Sequence, residues 1–294
     1  RSVQNTDGGP AHRLAKPATS QGGFTPRGRC LTSNASSARA ANPGSLAGVR
    51  ILDMATVLAA PLGATLCADH GAEVVKLELP DGSDALRGLQ PVKDGQALWW
   101  KVANRGKRGI TLDLRQPRGR ELLLSMLPQF DVLVENFRTG TLDRWGLDIA
   151  TLHRANPRLV VLRLTGFGQT GPYRDRAGYD YAVQGLGGLM SVTGERDDLP
   201  GGGPQKVGVA VADLFTGMYA TVAILAALRY RDASGEGQAI DMALLDTQVA
   251  MLANLGANYL VTGVAPQRAG NAHQNIVPYQ VFEVADGHVI LAVG

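Results

Sequence analysis

VRILDMATVLAAPLGATLCADHGAEVVKLELP, residues 49–80, changes its hydrophobic period twice. VRILDMA (49–55) reads as a strand, PLGATLCADHGA (61–72) as a helix ending near Gly71, and EVVKLELP (73–80) as a second strand closed by Pro80. A strand–helix–strand unit of this length joins parallel neighbours in one sheet. The alternation continues with GITLDL (109–114), a helix over 117–130 opened by Pro117, DVLVENF (131–137), a helical pattern over 142–156, and RLVVLRLTGF (158–167). The expectation is an α/β fold, a Rossmann-like parallel sheet with helices on both faces.

Past Gly166 glycines and turn residues take over as far as Pro204. Loops of this length in compact domains usually build sites, so 166–204 is the candidate site-building segment. Helical stretches follow at about 214–230 and 240–262, separated by DASGEG, and YQVFEVADGHVILAVG reads as a hairpin turning at Asp286-Gly287. The expected organisation is a disordered tail over 1–45, a large α/β domain over 46–230, and a linking helix with the start of a smaller domain over 231–294, whose remainder is missing.

The 294 residues include 45% hydrophobic side chains, enough for a substantial core. The net charge of +3 comes from the tail: residues 1–45 hold six Lys/Arg and one Asp, leaving 23 basic against 25 acidic side chains elsewhere. A near-neutral folded part does not imply a nucleic-acid partner. The tail is rich in Ser, Ala, Gly and Arg and lacks Glu, as a transit peptide would, and equally as a non-native extension would. A cytoplasmic location is expected, or the mitochondrial matrix if the tail is a leader. Cys30 and Cys67 match no metal or disulfide pattern, so no metal is expected.

GFGQTG (166–171) fits GxGxxG after a strand, but Pro172 and the polar PYRDRAG that follow leave no helix to receive a pyrophosphate. NRGKRG (104–109) is a phosphate contact or a solvated basic turn, with the turn favoured. Arg144 is a phosphate partner or a helix-surface cation. Glu135 and Asp180 are polar contacts near strand or loop ends. His153, His273 and His288 have no Ser or Cys at nucleophile spacing.

VGVAVADLFTGMYATVAILAAL (207–228) contains one charge, Asp213. The run could span a bilayer by length, but an intramembrane acid is costly and no second segment resembles it, so a buried core helix and no membrane partner are expected. Apolar residues at helical spacing begin just after Asp213, which makes it the expected N-cap. A carboxylate there is also favoured in its ionised form and available as a nucleophile.

Together, SLAGVRILDMATVLAAPLGATLCADHGAEVVKLELPDGSDALRG, NRGKRGITLDL, DVLVENFRTGTLDRWGLD, TGFGQTGPYRDRAGYDYAVQGLGGLMSVTG, and GVAVADLFTGMYATVAILAAL with GEGQAIDMALLD resemble the class III CoA-transferases, the formyl-CoA transferase or CaiB/BaiF family. The resemblance runs from Leu46 to Gly294. It implies that Asp213 is a nucleophile that attacks an acyl-CoA thioester and carries the aspartyl intermediates. It also implies CoA contacts at Ala59, Leu112, Arg115, Asn136, Phe137, Arg138, Arg144, Tyr179 and Asp180. CoA is then a substrate, no cofactor is tightly bound, and full-length members form intertwined homodimers.

Leu58 and Leu79 stand where formyl-CoA transferase has Gln and Arg, which puts formyl-CoA or oxalate specificity in doubt. The racemase branch has a His where this chain has Tyr179, so transfer is favoured over proton exchange. GNAHQNIVPYQVFEVADGHVILAVG and ANYLVTG resemble the succinate–hydroxymethylglutarate CoA-transferase group, implying succinyl-CoA as donor and a dicarboxylic acid as acceptor. An inactive CoA-binding fragment is the remaining alternative.

Overall fold

The computed structural model describes residues 44–293, so all but the last two residues of the expected tail, together with Cys30, lie outside the described residues. The opening stretch folds as β1 (Arg50–Asp53), α1 (Ala59–Asp69) and β2 (Glu73–Glu78). A ribbon of β3 (Val92–Lys93) and β4 (Gln96–Ala97) leads into α2 (Leu98–Ala103), none of it evident from periodicity because the pieces are so short. Then come β5 (Lys107–Thr111), α3 (Pro117–Met126) and β6 (Val132–Glu135). The pattern over 142–156 resolves into α4 (Thr141–Arg144) and α5 (Ile149–Ala155), broken at Gly146 with φ 70° and restarted where Asp148 accepts from Thr151 N at 2.8 Å.

β7 (Val160–Thr165) precedes a long loop, α6 (Asp180–Leu186) and α7 (Leu189–Val192). α8 (Val211–Ser234) ends at Gly235, whose φ of 82° stops the helix. The expected helix over 240–262 needs correction. Its first residues form β8 (Ala239–Ala243), and only then come α9 (Leu244–Ala250) and α10 (Ala253–Thr262). A short apolar run is ambiguous in period, and here the open edge of β7 decides it. β9 (Tyr279–Val284) and β10 (Gly287–Ala292) pair as the expected hairpin.

The main sheet runs β5-β2-β1-β6-β7-β8 with every pairing parallel. Counted within this sheet, the chain order is 3-2-1-4-5-6, the doubly wound Rossmann order. Alternate side chains feed two cores. Ile51, Val134 and Leu162 pack under α1 and α8, whereas Leu52, Leu133 and Val161 meet Leu123 of α3 and Leu152 of α5.

Composition explains how closely α8 lies on α1. A Cβ on Gly63 would stand 3.0 Å from Ala220 Cβ, and one on Gly217 would stand 2.9 Å from the Ala59 carbonyl oxygen. The Ala- and Gly-rich run thus serves a close helix crossing. α8 is long and apolar enough to cross a membrane, yet Ala212, Thr216, Ala220 and Ile224 are sealed in the fold. The expectation of a buried helix is corrected in one respect: Met218, Val222 and Leu225 on its other side are exposed.

Candidate active site

In a doubly wound sheet the loops after the two central strands leave in opposite directions, opening a crevice at their carboxyl ends. That crevice is present here between β1 and β6. A cavity of about 220 Å³ is lined by Thr56–Ala59 after β1, Asn136–Thr139 after β6, and Leu164, Thr165 and Gly166 at the end of β7. Asp213 of α8 and Tyr179 and Asp180 at the start of α6 complete it, together with Arg174 and Arg176.

The β1 loop is held one peptide group at a time. Asp53 accepts from Ala55 N at 3.0 Å, Lys76 donates to the Ala55 carbonyl, Asn136 exchanges two 2.8 Å bonds with Thr56, and Asp84 accepts from Val57 N at 3.1 Å. These bonds fix Val57 at φ 65°, a left-handed conformation that a β-branched residue adopts only under constraint. Behind the loop lies a sealed charge cluster. Lys107 Nζ is 2.7 Å from Asp53, and Lys76 Nζ is 3.6 Å from Asp53 and 3.8 Å from Asp84. Burial pushes the Asp53 carboxyl up, but the two lysines outweigh it and hold it below the usual range.

The basic stretch NRGKRG is consumed by the same architecture. Lys107 enters the buried cluster, Arg108 pairs with Glu73 at 2.8 Å and Arg105 pairs with Asp69; the expected solvated turn is corrected, because Lys107 is sealed and lies with Arg108 on β5.

After β6, Glu135 accepts from Phe137 N at 2.7 Å and from Arg163 Nε at 2.9 Å, fixing the turn that presents Asn136 and Phe137. After β7, Gly166 and Gly178 touch backbone to backbone, since a Cβ on Gly166 would stand 2.4 Å from Gly178 Cα. This crossing closes the loop and delivers Tyr179 and Asp180 to the cavity. GFGQTG accordingly opens no helix. Thr165 Oγ1 accepts from Gly168 N at 2.9 Å, and Asp241 accepts from Gln169 N at 3.0 Å.

Asp213 was expected as an N-cap, but Ala210 holds that position and Asp213 lies in the first turn of α8. The capping oxygen comes from another helix: Asp180 Oδ1 accepts from Ala212 N at 2.8 Å and from Asp213 N at 3.3 Å. Asp213 is thereby spared the capping duty, and its half-buried carboxyl faces the cavity. Burial, and then the charge of Asp180, push it up to about 7, overriding the pull of the helix N-terminus toward the anion.

Of the sequence candidates, Ala59, Asn136, Phe137, Arg138, Tyr179 and Asp180 line the cavity with Asp213. Three lie outside its lining. Leu112 packs on the core beneath α3, Arg115 is exposed and paired with Asp81 at 2.6 Å and Asp113 at 2.7 Å, and Arg144 is exposed against Thr141 Oγ1 at 2.9 Å. His273 caps its own loop, its Nδ1 accepting from Asn275 N at 3.0 Å. Sequence reading passed over Arg174 and Arg176, although RDR within the glycine-rich segment was the available signal. Among the described residues no cluster of His, Cys, Asp or Glu could hold a metal.

Comparison with known proteins gives this geometry a context. The family described as "CoA-transferase family III" matches residues 46–294. The succinate–glutarate CoA-transferase of Agrobacterium fabrum is 51% identical over 256 residues, covering 85% of this chain and 63% of that protein. The succinyl-CoA–D-citramalate CoA-transferase of Chloroflexus aurantiacus is 39% identical over 83% of this chain and 60% of its own length. The crystal structure of a CaiB/BaiF family protein from Brucella suis superposes with a TM-score of 0.77 at 47% identity, covering 86% of this chain and 67% of that one. The chain thus spans about three fifths of the length of the curated relatives it matches.

Proposed function

The chain belongs to CoA-transferase family III, and from that premise we propose that it moves CoA from succinyl-CoA to a dicarboxylic acid through covalent intermediates on Asp213. The observation that carries the reading is a carboxyl in the switch-point cavity that caps nothing and faces open space.

In the first step an Asp213 oxygen attacks the thioester carbonyl and the C–S bond breaks, leaving a mixed anhydride and CoA thiolate. The thiolate then attacks the Asp213 acyl carbon, releasing succinate and forming an aspartyl thioester. The acceptor carboxylate displaces the thiolate to give a second anhydride, and the thiolate attacks the acceptor's acyl carbon, freeing Asp213. Each tetrahedral intermediate carries an oxyanion. The N-terminus of α1 borders the cavity without a side-chain cap, so the Ala59 and Ala60 amides suit that role, Pro61 having no N–H and Leu62 N being bonded to the Leu58 carbonyl.

Arg138, Arg174 and Arg176 supply positive charge at the cavity for the second carboxylate of a dicarboxylic substrate, in keeping with the substrates that name the relatives. In this reading Ala59, Asn136, Phe137 and Tyr179 would meet the acyl-pantetheine end of CoA, and Leu112, Arg115 and Arg144 its nucleotide end. The open apolar side of α8, with Met218, Val222 and Leu225, supports a homodimer. Among the described residues no imidazole lines the cavity, which favours transfer over racemisation.

The test is incubation with succinyl-CoA and hydroxylamine followed by peptide mass spectrometry. A hydroxamate at Asp213, absent in Asp213→Asn, is expected; undiminished succinyl-to-glutarate transfer by Asp213→Asn would overturn the reading.

A further inference from the structure

Gln184, in the middle of α6, is fully buried. A buried amide needs hydrogen-bond partners, and this one has a specific partner for its NH₂ and another for its oxygen. Its Nε2 donates to Asp180 Oδ2 at 2.7 Å, and its Oε1 accepts from Val207 N at 2.9 Å. The orientation follows from chemistry: a backbone N–H can only donate, so the oxygen faces Val207 and the NH₂ faces the acid. The other Asp180 oxygen reaches the amides of Ala212 and Asp213. One side chain therefore ties α6, the segment entering α8, and the first turn of α8 to a single carboxylate.

We propose that Gln184 is a positioning residue for the transfer reaction, holding Asp180 against the first turn of α8 so that Asp213 stays uncommitted and opposite a second carboxylate. The proposal rests on the reading of Asp213 as the nucleophile. Acylation converts the Asp213 anion into a neutral ester-like group, which removes the repulsion with Asp180. A fixed like charge thus disfavours the free nucleophile relative to the acylated states and raises its basicity. Besides Asp180, the charged and titratable groups that line the cavity with Asp213 are Arg138, Arg174, Arg176 and Tyr179, all on other elements.

Two substitutions separate this role from simple packing. Gln184→Met keeps the volume and removes both hydrogen bonds. Gln184→Glu is isosteric, and only its neutral form can donate to Asp180 while accepting from Val207. We expect Gln184→Met to lower kcat about 10–100-fold, the scale of lost outer-shell support. KM for succinyl-CoA should stay within about twofold, and the acidic limb of the kcat profile should move to lower pH as Asp180 is released. Gln184→Glu should approach wild-type turnover at the acid end and lose it as the introduced carboxyl ionises.

The proposal is overturned if Gln184→Met lowers the thermal midpoint but keeps the wild-type pH profile, or if Gln184→Glu keeps full turnover at alkaline pH. Should Gln184→Met fail to fold, the profile of Gln184→Glu decides alone. Asp213→Asn measured beside them keeps the readings apart. An active Asp213→Asn sinks the nucleophile itself, whereas an inactive one beside a Gln184→Met of unchanged pH profile sinks only the positioning role.

Discussion

Lys107 Nζ stands 2.7 Å from Asp53 Oδ2 with both side chains sealed from water, joining the edge strand β5 to the central strand β1. Lys107 also donates to the Pro61 carbonyl at 2.8 Å and to Asn104 at 3.0 Å, so it sits behind the loop that forms one wall of the cavity. The cluster holds two lysines and two aspartates, and removing one cation strands an anion. Lys107→Met should cost about 3–5 kcal/mol, the usual result of breaking a buried pair. Urea unfolding would check it, and Lys107→Met with Asp53→Asn should recover part of the loss. Because the lysines hold Asp53 below its usual range, this stability is present at neutral pH and lost as pH falls through the depressed folded-state value.

Gly166→Ala tests the crossing that closes the β7 loop. The new methyl would stand 2.4 Å from Gly178 Cα, an overlap relieved only by moving backbone. The expected cost is about 1–3 kcal/mol by overpacking. Affinity for CoA should also fall, because Tyr179 and Asp180 are carried on the displaced segment. Calorimetric titration with CoA against wild type reads that second effect; unchanged affinity would show that the crossing does not position the site.

The first five strands of the main sheet were legible from residues 49–167 because a parallel sheet covered on both faces needs apolar strands separated by amphipathic helices. Asp213 was legible as an anomaly for the same reason: one charge in an apolar run must have a use. Its real setting was not legible. The cap is provided by Asp180, over thirty positions upstream, and no local pattern records a carboxylate borrowed across space. β8 was missed because only pairing to β7 separates it from a helix. Lys107 and Arg108 read as a basic turn because charge in a sequence does not reveal whether a partner is waiting in the fold.

Asp180→Asn keeps an oxygen for the α8 amides and removes the charge facing Asp213, at the cost of setting its NH₂ against the Gln184 NH₂. Burial and Asp180 push Asp213 up to about 7, and the proposed attack requires the anion. Wild-type kcat/KM should therefore rise with pH through about 7. In Asp180→Asn the limb should move to lower pH, because the like charge has gone. The stability sign is opposite to that of Asp53. A carboxyl raised on folding stabilises the protein while protonated, so its contribution is lost as pH climbs from the unfolded value through the folded one. Glu135, which burial also pushes up to about 7, adds a slope of the same sign, so Asp213→Asn should lessen the slope of the unfolding free energies across that range rather than abolish it, and an undiminished slope would assign none of it to Asp213.

Arg176 bears on which acids enter. Its guanidinium stacks 3.9 Å from the Tyr173 ring centre and, among the described residues, pairs with no carboxylate, while Arg174 leans toward Asp175 at 3.6 Å. A cation held by an aromatic face keeps its donors free and suits bidentate recognition of a carboxylate. If Arg176 reads the far carboxylate of the acceptor, Arg176→Met should raise KM for glutarate about tenfold, roughly 1.4 kcal/mol. An acceptor of equal length with a methyl in place of that carboxylate should change little. Equal losses for both acceptors, accompanied by weaker binding of free CoA, which has no acyl carboxylate, would move Arg176 from the acceptor to the CoA phosphates.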